Sequence, residues 1–189
     1  MLRSSLVLLV LAFTASANAK DFDYDYFQLT YGNVEFDDIN VDGDGFGLSG
    51  SYALNEDFHV FAGYEAAGLD FGIDATTLGA GLGWHTTLSP VVDLVASISY
   101  QYVELDAPGF GSVDDNGLGL GLGLRYAATD LLELDAGISH VDLGDGGSDT
   151  GFGVGGLYSF TDAFELGLSA SWSDESTSFT VAGRFYFGR

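Results

Sequence analysis

The sequence predicts an all-β protein, an antiparallel up-and-down transmembrane β-barrel of about ten strands, on three observations. First, Leu118, Leu120, Leu122, Leu124 and Tyr126 alternate without a break against Gly117, Gly119, Gly121, Gly123 and Arg125. A period of two is that of a strand with one apolar face and one small or polar face. Second, the same alternation recurs through most of the chain, as lipid outside and a polar lumen inside require. Third, once each strand is phased by its apolar residues, the mid-strand charges Glu65, Asp93, Arg125, Glu133, Asp135, Glu165 and Arg184 all fall on the opposite face. A charge on the lipid face at mid-bilayer costs ~2–4 kcal/mol, so this segregation is what a spanning wall demands.

The chain opens with a short positive start at Met1-Leu2-Arg3, an apolar run from Leu6 to Phe13, and Ala17-Asn18-Ala19 in the A-x-A pattern. Together these read as a secretory signal peptide over 1–19, removed before Lys20, with the barrel domain over 20–189. The apolar run is too short to cross a bilayer as a helix. With 189 residues and no cysteine, the exported protein is one domain that must hold together without disulfides. A closed wall does this, because every backbone group is bonded within it.

Strands are expected near 24–33, 45–54, 58–67, 75–88, 91–105, 116–127, 131–142, 151–160, 163–173 and 177–187. Short connections at 55–57, 89–90, 129–130 and 161–163 carry the residue types of tight turns. They alternate with longer acidic connections at 34–44, 68–74, 106–115, 143–150 and 174–176. In outer-membrane barrels the short turns are periplasmic and the long loops face outward, so an even strand count with both termini on the periplasmic side is expected. Aromatics sort into two belts: Phe58, Trp84, Tyr126, Tyr158, Phe164, Phe185 and Phe187 at one end, and Tyr31, Phe46, Tyr64, Tyr100, Tyr102, Phe152 and Trp172 at the other.

Charge narrows the partners. The whole chain carries a net −23, with 28 acids against five bases. A mean hydropathy of +0.21 beside so many acids fits only if the two kinds of residue are segregated. Nucleic acid is excluded as a partner for want of a basic patch. The expected partners are outer-membrane lipid and lipopolysaccharide, the barrel-assembly machinery during insertion, and divalent cations at the loops. The protein is expected to be a monomer.

Tyr24-Asp-Tyr-Phe-Gln-Leu-Thr-Tyr-Gly32, Asp42-Gly-Asp-Gly-Phe-Gly-Leu-Ser-Gly-Ser51 and Phe58-His-Val-Phe-Ala-Gly-Tyr64 carry a family likeness over nearly the whole mature chain. The chain resembles the small outer-membrane β-barrel family of plant-associated and environmental proteobacteria whose founding member was once reported as a secreted activator of plant immunity. It is similar more broadly to OmpA-type porin-like barrels. The resemblance implies an integral outer-membrane protein of Gram-negative bacteria without an established enzymatic activity. One departure is the ending, where Phe187 is followed by Gly188-Arg189 rather than closing on an aromatic residue.

The candidate site is the lumen: Arg125 and Arg184 among Glu65, Asp93, Glu133, Asp135 and Glu165, with Gln101, His59 and His85. Unpaired charges in a confined interior are costly, so an internal salt-bridge network filling a small barrel is the favoured expectation. A narrow water channel along the glycine-rich inner faces of the fourth, sixth and eighth strands is the alternative. Asp38-Ile-Asn-Val-Asp-Gly43 matches the first half of a calcium loop, but Ser49 stands where a bidentate Glu is needed and falls inside a predicted strand. Looser divalent binding would fall to loop acids: Asp38, Asn40, Asp42 and Asp44 first, with Asp37, Asp114, Asp115, Asp145 and Asp149. No catalytic residues and no cofactor are expected. Ser139 and His140 are adjacent in a strand and so point to opposite faces, which rules them out as a nucleophile–base pair. Three roles remain: a structural or surface-interaction barrel with acidic extracellular loops, a narrow cation-preferring channel, and an outer-leaflet lipid-modifying enzyme.

Overall fold

The period-two sequence closes into a ten-stranded, wholly antiparallel barrel. The computed structural model describes residues 22–36, 41–174 and 176–187, apart from the side chain of Asp145. The segment expected to be a signal peptide, 1–19, lies outside them. The strands are β1 Tyr26–Phe36, β2 Val41–Ala53, β3 Phe58–Leu69, β4 Ile73–Ser89, β5 Val92–Ala107, β6 Gly111–Ala127, β7 Leu132–Asp142, β8 Ser148–Thr161, β9 Phe164–Trp172 and β10 Ser176–Tyr186. Each pairs with its sequence neighbours, and β1 closes on β10 from Tyr26↔Tyr186 to Phe36↔Ser176. Closure removes any free edge along the spanning wall.

Burial is inverted relative to a soluble fold. Leu118, Leu120, Leu122 and Leu124 are all about half exposed, while Asp93, Arg125, Glu133 and Glu165 are buried. The apolar faces therefore point outward to lipid and the mid-strand charges point into the lumen, as the alternation predicts. Residues 22–25 and Phe187 lie at one end of the barrel, together with the tight turns, and this is the terminal end; the opposite one is the far end.

The far end differs from expectation. The acidic stretches read as long loops are largely paired strand. The connections shrink to 70–72 between β3 and β4, 108–110 between β5 and β6, and 143–147 between β7 and β8. Expected-loop residues Asp106 and Ser112 pair with each other, and expected-loop Asp114 and Ser148 pair with Glu104 and Asp142. The reason is physical: lipid imposes the apolar alternation, but nothing ends a hydrogen-bonded ladder where lipid ends. The belt marks that boundary. The Tyr31 hydroxyl donates to Asp44 at 3.0 Å and the Tyr102 hydroxyl to Glu104 at 3.2 Å, each reaching from the last aromatic ring to the first carboxylate beyond it.

The start of the first strand is also corrected. The first strand is expected from about 24, but the wall starts at Tyr26, and Phe22–Asp25 turn into the barrel.

Candidate functional site in the barrel lumen

Two register irregularities at the terminal end, between Thr87 and Ser89 and between Ser159 and Thr161, each adjoin a buried acid. At the first, Thr87 donates to Asp93 Oδ1 at 2.9 Å. At the second, Ser159 donates to Glu165 Oε1 at 2.7 Å. A cross-strand hydroxyl thus satisfies one oxygen of each buried carboxylate, as buried polar groups require.

The remaining oxygens organise two clusters. In the first, Tyr24 OH donates to Asp93 Oδ2 at 3.1 Å. Arg125 grips Glu133 with two prongs, Nε to Oε1 at 2.7 Å and Nη2 to Oε2 at 3.1 Å, and its Nη1 donates to the Asp23 carbonyl at 3.2 Å. The guanidinium lies over the rings of Phe22 and Tyr24, 5.0 and 4.7 Å from their centroids. Tyr24 is stacked in turn on His85 at 3.8 Å and His59 at 4.6 Å. Burial pushes the phenol of Tyr24, which precedes the strands, upward by more than Arg125 pulls it down, so it stays protonated and acts as a donor. In the second cluster, Tyr186 OH donates to Glu165 Oε2 at 2.9 Å. Arg184 donates to Gln28 Oε1 at 2.9 Å and lies over Tyr26 at 4.1 Å.

The expected network is therefore resolved into parts. Asp93, Arg125 and Glu133 belong to the first cluster, and Glu165 and Arg184 to the second. Asp135 shares a cavity wall with both arginines and Glu133. Glu65 stands apart, in the wall of a different cavity with Thr77 and Gln101. The aromatic members Phe22, Tyr24, Tyr26 and Tyr186 were missed by the sequence reading. A signal existed: Tyr24 and Tyr26 share the inward phase of Gln28, and Tyr186 that of Arg184, where a lipid-facing ring has no place.

The lumen above the clusters holds cavities of about 320 and 420 Å³ that share Tyr26, Gln28 and His59. A third, about 790 Å³, opens at the terminal mouth between Asp23, Glu56, Asp130 and Asp162. Among the described residues Tyr24 alone lines both the mouth and the 320 Å³ cavity, so its ring stands between them. The glycine-lined channel expected along three strands is partly occupied. A Cβ at Gly83 would lie 2.2 Å from the His59 ring, at Gly79 2.8 Å from Gln101, and at Gly155 2.6 Å from Asp135. These glycines make room for lumenal side chains rather than for water alone.

Outside the lumen, Asp42 and Asp44 lie on the outward face of β2. The Asp42 amide donates to the Asp70 carboxylate at 3.3 Å. Asp38 and Asn40 fall outside the described residues, among which no group of three or more His, Asp or Glu is placed to hold a metal ion. Ser139 lies against Gly151 on the inner face, while outward-facing His140 contacts Thr150 at 2.8 Å.

A family model described as the outer membrane protein beta-barrel domain matches residues 5–160. Among solved structures, an outer-membrane channel from Pseudomonas putida F1 superposes with a TM-score of 0.60, at 10% identity over 93% of this chain and 100% of that one. The KdgM porin gives a TM-score of 0.50, at 12% identity over 85% of this chain and 99% of that one. At such identities the likeness is one of fold. No curated protein sequence matches the chain. The lipid-facing wall, the polar lumen and the family match agree: the chain belongs to the outer membrane protein β-barrel domain family and resides in the outer membrane.

Proposed function

We propose that this porin-like barrel serves a structural and surface-interaction role rather than free transport. One observation carries the reading: Phe22–Asp25 fold back into the terminal mouth as a plug, with Arg125 over the rings of Phe22 and Tyr24 and with Tyr24 between mouth and lumen. In the same reading, residues 1–19 are a leader removed before Lys20, the tight turns face the periplasm, and the acidic hairpins face outward. Lipid and lipopolysaccharide surround the aromatic belts, the barrel-assembly machinery inserts the chain as a monomer, and the acidic rim attracts divalent cations. The resemblance of Tyr24–Gly32, Asp42–Ser51 and Phe58–Tyr64 to the plant-associated family fits the same surface role.

A narrow cation-preferring channel is the second reading, favoured by Glu65 and Asp135 in the cavity walls. It requires the plug to leave. Planar-bilayer conductance separates the two. The refolded mature chain should pass no steady current, and a Phe22→Gly/Tyr24→Gly variant should pass current that prefers cations. A steady current through the unaltered protein equal to that of the variant refutes the closed barrel.

A further inference from the structure

Beyond the belt, along the outward face of β5, the order is Tyr100, Tyr102, Glu104, Asp106, and then the turn carrying Phe110. Phe110 is 93% exposed, held between Gly109 at φ 83° and Gly111 at φ 81°. The neighbouring tip, between β3 and β4, carries Phe71, 81% exposed and the one non-glycine residue with positive φ (63°) among those described. The two tips adjoin: a Cβ at Gly72 would touch Pro108 at 3.4 Å. Directly paired Leu105 and Val113 add exposed apolar surface just below Phe110. Holding a phenylalanine in the left-handed region is costly, and here it ends with the ring in water.

This apolar tip sits above an uncompensated acidic collar. Asp74 is paired across the ladder with Asp106, and Glu104 with Asp114. Like charges directly opposite are destabilising. The bases among the described residues, Arg125 and Arg184, are both in the terminal half of the lumen. The collar also excludes the membrane as the surface that receives the rings, because the carboxylates lie between the belt and Phe110 and would have to enter lipid first.

We infer that the paired tips of the β3–β4 and β5–β6 hairpins form a docking surface for a cationic protein partner, whose Lys or Arg side chains meet the collar and whose apolar pocket receives Phe71 and Phe110. Charge complementarity selects the partner and steers its approach, while the two rings supply the desolvated anchors typical of an interface centre. This rests on the surface reading above, which has its own test: a cysteine introduced by Ser112→Cys should be labelled by a membrane-impermeant maleimide in intact cells. Absence of labelling overturns the outward orientation without touching the binding measurement.

Binding is measured with the mature chain in phosphatidylcholine nanodiscs, empty discs subtracted. The probes are an amphipathic peptide of alternating lysine and leucine, a lysine homopolymer of equal charge, and calcium. The peptide should bind; Phe71→Ser/Phe110→Ser should weaken it roughly tenfold or more, as expected for loss of two buried rings, and leave the homopolymer unchanged. Asp74→Asn/Asp106→Asn should weaken both and flatten their salt dependence. Faster migration of unboiled samples on denaturing gels establishes that every variant is folded. Equal peptide affinity in the phenylalanine variant, no binding above empty discs, or displacement of the peptide by calcium below millimolar concentration would each overturn the inference.

Discussion

The two ends of the barrel use charge in opposite ways. In the terminal half, both described bases are held against carboxylates or amides, and each buried acid has a hydroxyl or guanidinium partner. In the far half, acids face acids across the ladders, and neither described arginine reaches them. The first arrangement is what a protein does when charge must live out of water, since an unpaired ion there is very costly. The second is tolerable only in solvent, where repulsion is screened. The wall is continuous through both halves, yet one half is built for cohesion and the other carries a field outward.

That contrast can be broken at its strongest point first. Glu133→Gln strips the carboxylate from buried Arg125 and should cost about 3–5 kcal/mol, read as a lower urea midpoint by fluorescence of Trp84 and Trp172 in lipid vesicles. A loss below 1 kcal/mol would mean that the terminal cluster is wetter than its geometry implies.

Next comes the wall between lumen and lipid. Leu122→Arg should lower the yield of folded, heat-modifiable barrel by an amount corresponding to ~2–4 kcal/mol. Gly121→Arg, one residue away, should be milder: its Cβ meets only the end of the Ser97 side chain, at 2.5 Å. Equal losses would put the phase of β6 in error.

The smallest effect has the opposite sign. Asp106→Asn removes a like-charge contact with Asp74 and should stabilise the barrel by ~0.2–1 kcal/mol, most at low salt. The gain should fade in 1 M salt, where the Debye length is about 3 Å. Destabilisation instead would show that the collar is already neutralised by bound cations.

What the sequence revealed follows the same division. Wherever lipid touches the wall, side-chain chemistry is forced, and the alternation from Leu118 to Leu124 was enough to phase β6. Beyond the belt lipid exerts no such force, so Asp106, Ala107 and Gly111–Asp115 looked like loop although the ladder runs through them residue for residue. Inside the lumen the charged residues could be gathered on one face but not matched. Arg125 sits directly opposite Asp135, yet it bonds the diagonal Glu133, because a long side chain reaches diagonal neighbours. The plug escaped because Phe22–Asp25 continues the aromatic and acidic rhythm of the strand that follows, and period-two reading cannot tell when a chain leaves the wall.

Asp25 occupies a place where that departure has a kinetic meaning. Its carboxylate accepts from the Ala53 amide at 2.7 Å on β2, and its carbonyl accepts from Phe187 at 3.1 Å just past β10. It thus fastens together the two strands that flank β1. Nine of the ten ladders join consecutive strands through local hairpins, but the β1–β10 ladder brings together residues such as Gln28 and Arg184, which are 156 positions apart. Closing so long a loop carries the largest entropic cost in the topology and is deferred until local pairing is complete. The first described residues of the chain consequently find their seats last, and a seated Asp25 is a molecular record that the circle has been completed.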